Sequence, residues 1–226
     1  MLVPAVLLAA AFLVAWALPR SPAARPSRPQ LRHAAASQAF GWPSRRVVVL
    51  LALSVVYYLA YGPFEVVLPV LVRAQLGGAE TMYSLLWALF AIGAAAALPF
   101  ATRLARRRPG AVNAAGAVVW GLVMLPVAFT GSPALAAAVF LTGGFVWGPY
   151  AAVEATALHR WTNPGHHGRV FGAQRAMLST AAPVGAAIGA VLTDYVPAET
   201  IAAASALACT AAGLFALASR DLPRAV

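Results

Sequence analysis

Residues 143–174 read GGFVWGPYAAVEATALHRWTNPGHHGRVFGAQ. The stretch opens as an apolar helix and carries a Gly-Pro break at Gly148-Pro149. It then holds a lone acid, Glu154, inside apolar surroundings, before a basic loop that ends in Arg169-Val170-Phe171-Gly172. A water-soluble fold has little use for that order of features. A helix that crosses a bilayer and emerges into a basic loop does.

The composition agrees. Apolar and aromatic residues make up 62% of the 226 positions and charged residues only 10%, against about 25% in soluble globular domains. The apolar residues come in runs near the roughly 20 residues that cross about 30 Å of hydrocarbon at 1.5 Å per residue. The expected fold is an all-α membrane protein with seven transmembrane helices at about 2–18, 47–72, 82–101, 111–129, 133–158, 176–195 and 198–218. The domain order is a first helix over 1–18, then a basic linker rich in proline and arginine over 19–46. A six-helix unit over 47–219 and a short tail over 220–226 complete it. The first span lacks a basic segment before it and has arginines after it, so it reads as a membrane helix in preference to a signal peptide.

All sixteen basic residues are arginine, which excludes any chemistry that needs a lysine amine. A formal charge of +10 would point to nucleic acid in a soluble domain. Here the lipid bilayer explains it, since arginine gathers in cytoplasmic loops and near anionic lipid. No nucleic-acid partner is expected. With seven alternating spans, fifteen arginines fall on one side, including Arg103, Arg106, Arg107, Arg108 and Arg169, and only Arg73 on the other. That bias puts the N-terminus outside and the C-terminus in the cytoplasm, as in a multi-pass protein of a bacterial inner membrane. The single cysteine, Cys209, lies in an apolar run, so no disulfide or thiolate metal site is expected. His159, His166 and His167 lie in a basic segment without acids, which makes them solvated histidines before metal ligands. No cofactor is expected, and no nucleophile, base and orienting group occur together as an enzyme requires.

Aromatic-Gly-Pro-aromatic occurs twice, at Tyr61-Gly62-Pro63-Phe64 and Trp147-Gly148-Pro149-Tyr150, 86 residues apart. Three spans separate the copies, so they cross in opposite senses. A second register, three residues along, sets Tyr58, Tyr61 and Glu65 against Trp147, Tyr150 and Glu154, each at i, i+3 and i+7. Helical periodicity puts each trio on one face, and Ser54 extends the first stripe. The last six helices therefore read as a 3+3 inverted repeat. Glu65 and Glu154 are the candidates for cation recognition or proton coupling. Against this, Glu65 lies only eight residues from Arg73, and Glu154 is placed to pair with Arg160 or Arg169 at the membrane edge. Of the two, Glu65 carries more weight for chemistry. Among the aromatics, Tyr58, Tyr61 and Trp147 are expected to line a cavity, and the others to serve as interfacial anchors as readily as substrate contacts. Asp194 reads as an outer-edge residue. Ala181, Gly185 and Gly189 form a small-residue ridge suited to close helix packing.

Two segments carry a resemblance. Tyr61-Gly-Pro-Phe-Glu-Val-Val-Leu-Pro-Val-Leu-Val-Arg73 and Gly168-Arg-Val-Phe-Gly172, in this order, resemble the C-terminal half of a major facilitator superfamily permease. Within that family the chain is most similar to bacterial drug and siderophore exporters. The loop Arg103-Leu-Ala-Arg-Arg-Arg-Pro-Gly110 sits where the family's second glycine/acid/basic loop motif belongs. It keeps the arginines and lacks the leading aspartate. The resemblance implies a secondary transporter, with proton-coupled efflux of a small hydrophobic or drug-like molecule. It also implies a chain that is a C-terminal fragment, completed by an N-terminal six-helix half or a second copy. The alternative is a non-transporting scaffold, or a half-size protein that acts only after association.

Overall fold

The computed structural model describes residues 44–77, 80–106, 108–219 and 222. The chain divides into two units, residues 1–39 and 40–226, and all the described residues belong to the second. The expected first span, most of the linker, Arg107 and the tail except Leu222 lie outside the described residues.

The described residues are all helix and turn. Helix α1 spans Arg45–Gln75, α2 Glu80–Arg106, α3 Pro109–Met124, α4 Pro133–Trp147, α5 Tyr150–Trp161, α6 His167–Leu192 and α7 Ala198–Ala218. Short 3-10 turns at Leu125–Ala128 and Pro164–His166 complete the set. Six segments are long and apolar enough to cross a membrane, with α4 and α5 counting as one. Proline marks where helices begin: Pro109, Pro133 and Pro164 open their elements, where the missing N–H would have no partner anyway. Ser132 also caps α4, its hydroxyl accepting the Leu135 N–H at 3.4 Å. After α1 the chain turns at Gly77, whose φ of 81° suits glycine.

The expected spans need two amendments. The fourth membrane segment breaks at Gly148-Pro149, as the sequence implies, with α4 ending at Trp147 and α5 starting at Tyr150. The same dipeptide in α1, Gly62-Pro63, leaves a continuous 31-residue helix. The second amendment concerns α6, which begins at His167 and not near 176. Arg169-Val170-Phe171-Gly172 is therefore its first turns and not a loop. The reason is local. The His167 ring bonds the Thr162 carbonyl at 2.9 Å, and the His159 ring of α5 packs on His167 and Phe171 at 4.7 and 4.6 Å. These contacts hold the turns against α5 despite Gly168 and Gly172.

Lipid chains supply no hydrophobic drive between helices, so close approach depends on small residues. Three crossings show it. Helices α1 and α6 run parallel, Leu59 against Gly185 and Pro63 against Gly189. Helix α2 runs parallel to the α4–α5 segment, Phe90 against Gly144, Ala94 against Gly148, and Gly93 against Leu141 and Phe145. Helices α3 and α7 run antiparallel, Gly121 against Ala206 and Thr210, and Gly213 against Ala114 and Val118. At each of these glycines a side-chain carbon would overlap backbone or side-chain atoms of the facing helix. The ridge of Gly185 and Gly189 expected from sequence is one of these contacts. Inside the bundle lies a continuous core that includes Leu50, Tyr57, Phe64, Trp120 and Phe140, and the polar centre sits beside it.

Candidate functional site

The centre is built from two segments. Ser54 lies on the face of α1 that also carries Tyr57, Tyr58 and Tyr61, three to seven residues on. The break at Gly148-Pro149 starts α5 at Tyr150, so Tyr150 and Glu154 stand one turn apart on its inner face. There the Ser54 hydroxyl donates to Glu154 Oε1 at 2.6 Å, and the Tyr150 hydroxyl lies 3.3 Å from the same Ser54 oxygen. Ser54 is fully buried and Glu154 only 3% exposed. Two membrane segments thus meet at one acid. A carboxyl held that way can exchange a proton, and it can change charge where neighbours will feel it.

Above the acid the wall turns aromatic. Tyr57 stacks on Tyr150 with ring centres 5.2 Å apart, and the edge of Trp120 meets Tyr57 and Tyr61 at 5.3 and 5.7 Å. A cavity of about 130 Å³ opens among Tyr57, Tyr58, Tyr61, Trp87, Phe90 and Trp147. Its lining is π-surface edged by tyrosine hydroxyls, which suits a flat, lipophilic or cationic guest. The Tyr57 hydroxyl and the Trp120 indole N–H are buried without a partner among the described residues.

The sequence-derived candidates separate into groups. Ser54, Tyr150 and Glu154 meet directly. Tyr58, Tyr61 and Trp147 line the cavity beside them. Glu154 is buried and bonded to Ser54, which is a different place from the expected pairing with Arg160 or Arg169. Glu65 stands exposed on α1, one turn past Tyr61 and eleven residues from Ser54. Arg103 and Arg106 close α2, Arg108 precedes α3, and Arg169 lies in the first turns of α6, all exposed. Phe90, which also lines the cavity, went unnoticed in the sequence. Phe90 could have been found, because it follows Trp87 by three residues on one face of α2. Among the described residues no group of three His, Cys, Asp or Glu could hold a metal, and Cys209 is buried as a free thiol.

No curated protein matches the chain, and no solved structure does. The sequence profile of the Major Facilitator Superfamily matches residues 50–226, which takes in all of α2 to α7 and nearly all of α1. With six membrane-capable helices and a match over most of its length, the chain belongs to the Major Facilitator Superfamily, a family of membrane transporters.

Proposed function

We propose that the chain is one six-helix half of a proton-coupled exporter of a small, partly hydrophobic molecule. Glu154 binds the exchanged proton, and the aromatic cavity forms one wall of the substrate site. The observation that carries this is the buried Ser54–Glu154 bond, which ties α1 to α5 directly beside that cavity. Loading or unloading a proton on Glu154 changes the shorter of the two side-chain contacts that Ser54 makes with α5, which gives protonation a route to helix movement. Glu65 holds a secondary place, as an exposed acid that a second half would cover.

The helix crossings support the 3+3 inverted repeat. Leu59 on Gly185 becomes Phe145 on Gly93 when α1 is advanced by 86 residues and α6 is set back by 92. The same 92-residue step carries Gly121 on Ala206 and Thr210 into Gly213 on Ala114 and Val118. This supports the register given by the two Gly-Pro copies over the one that equates Glu65 with Glu154. The two acids are then not counterparts, in keeping with one being buried and the other exposed.

A second six-helix half, from an N-terminal segment or another copy, completes the cavity. Support comes from α2 and α6, where 22% and 17% of the most apolar window is buried, against 44–50% in the other spans. The setting proposed is a bacterial inner membrane with the arginine-rich end in the cytoplasm. The test is transport in vesicles that carry the chain alone and joined to a six-helix half, with lipophilic dyes and an imposed pH gradient. Gradient-driven accumulation that an uncoupler abolishes is expected for the joined protein. Dye movement indifferent to the gradient removes proton coupling, and no movement of any dye favours a scaffold.

A further inference from the structure

Outside the polar centre, a groove of about 220 Å³ runs between α2, α3 and the α4–α5 segment. Its size falls below the roughly 300–1,000 Å³ of pockets for drug-sized ligands. The rim is apolar and open, with Phe100, Leu104, Val119 and Phe145 each 37–46% exposed. Two side chains with polar atoms line it, Tyr150, whose hydroxyl faces Ser54, and Asn113. Asn113 is 1% exposed, and neither its Oδ1 nor its Nδ2 has a partner among the described residues. An amide buried without a partner is unfavourable unless something supplies the missing bonds.

The groove reaches the arginine-rich end of the bundle, where Arg103 and Arg106 close α2 and Arg108 precedes α3. The acids other than Glu154 among the described residues, Glu65, Glu80, Asp194 and Glu199, belong to the opposite ends of their segments. Asn113 stands five residues past Arg108, so about 7 Å deeper at 1.5 Å per residue. Positive charge at the mouth, a hydrogen-bonding amide one to two turns below, and an apolar trough beyond follow the order of phosphate, ester and acyl chain in a phospholipid.

We propose that this groove binds an anionic phospholipid, with its phosphate toward Arg103, Arg106 and Arg108, an ester carbonyl on the Asn113 amide, and one acyl chain in the trough. Tyr150 and Val153 form part of the floor, so the lipid would also brace the helix that carries Glu154. Occupancy can be read without transport, which keeps this proposal separate from the function proposed above.

The experiment uses the full chain in phosphatidylcholine nanodiscs doped with phosphatidylglycerol that carries a diazirine on its acyl chain. After illumination, the labelled residues are mapped by mass spectrometry. Label is expected on the Phe100–Leu104 and Val112–Val119 segments. Unlabelled phosphatidylglycerol should suppress it, and added phosphatidylcholine should not. Arg106→Ala, an exposed change that leaves the core intact, should lower the label about fivefold, the effect of one basic residue near an anionic surface. Asn113→Leu, similar in size, should also lower it. Label spread evenly over Met177, Val184 and Ile188 on α6 would mean annular lipid only and overturn the proposal. Equal competition by phosphatidylcholine would do the same, as would labelling unchanged in Arg106→Ala.

Discussion

Ser54 and Glu154 provide a prediction whose size follows from the structure. Both are buried, and the bond between them is 2.6 Å long. Ser54→Ala leaves the carboxyl short of a donor, and a buried polar group stripped of its partner costs about 1–3 kcal/mol. In membrane helices the measured range sits lower, about 1–2 kcal/mol at most for a strong pair, because the unfolded chain also finds partners. Ser54→Ala is therefore expected to destabilise the bundle by about 1–2 kcal/mol. Glu154→Leu alone leaves the Ser54 hydroxyl only its 3.3 Å contact with Tyr150 and should cost a similar amount. The double variant removes both groups together and should cost little more than either single change, since replacing both partners by apolar groups comes close to neutral. The coupling energy from the four proteins is then about 1 kcal/mol or more. Unfolding by SDS in mixed micelles, followed by tryptophan fluorescence, measures it. Tyr150→Phe serves as a comparison, because its 3.3 Å contact with Ser54 is long for a hydroxyl pair and should carry much less. Additive single changes, within the roughly 0.3–0.5 kcal/mol scatter of independent sites, would refute the claim that this bond ties α1 to α5.

Two further predictions test the crossings and the orientation. Gly93→Ala and Gly185→Ala each place a methyl group against facing backbone, and overpacking of that kind costs about 1–3 kcal/mol. Gly172→Ala, on α6 with nothing within 4 Å, should instead stabilise by about 0.5–1 kcal/mol through helix propensity. The same SDS titration reads all three, and equal effects would contradict the crossings. Cys209 is fully buried and should resist maleimide until SDS is added. With Cys209 replaced by Ala, a membrane-impermeant maleimide applied to intact cells should label Gly131→Cys and spare Thr102→Cys; the reverse pattern inverts the topology.

Much of the fold was legible because the bilayer dictates it. Apolar runs of membrane-spanning length located the six described spans, and the Gly-Pro pair at 148–149 marked the real break between α4 and α5. The start of α6 was not legible. Gly168 and Gly172 read as loop residues, and the ring contacts of His159 with His167 and Phe171 that hold the turn exist only after α5 and α6 meet. The acids show the same limit. Distance along the sequence set Glu154 near a boundary and Glu65 eight residues from Arg73, but depth in a bundle depends on what covers a face. Ser54 is 100 residues from Glu154 in the chain, and no local pattern announces that they touch. Helical spacing alone put Tyr58 and Tyr61 on one face, and in the structure both line a cavity with Trp147.

The central claim is that Glu154 binds the exchanged proton, and Glu154→Gln tests it most directly. The amide keeps an acceptor for Ser54 at almost the same size and cannot release a proton. In vesicles of the joined permease, this variant should still exchange labelled for unlabelled substrate at equilibrium, because that cycle needs no net proton movement. It should lose accumulation driven by a pH gradient, and Glu65→Gln should keep it. Full gradient-driven accumulation by Glu154→Gln would contradict the account.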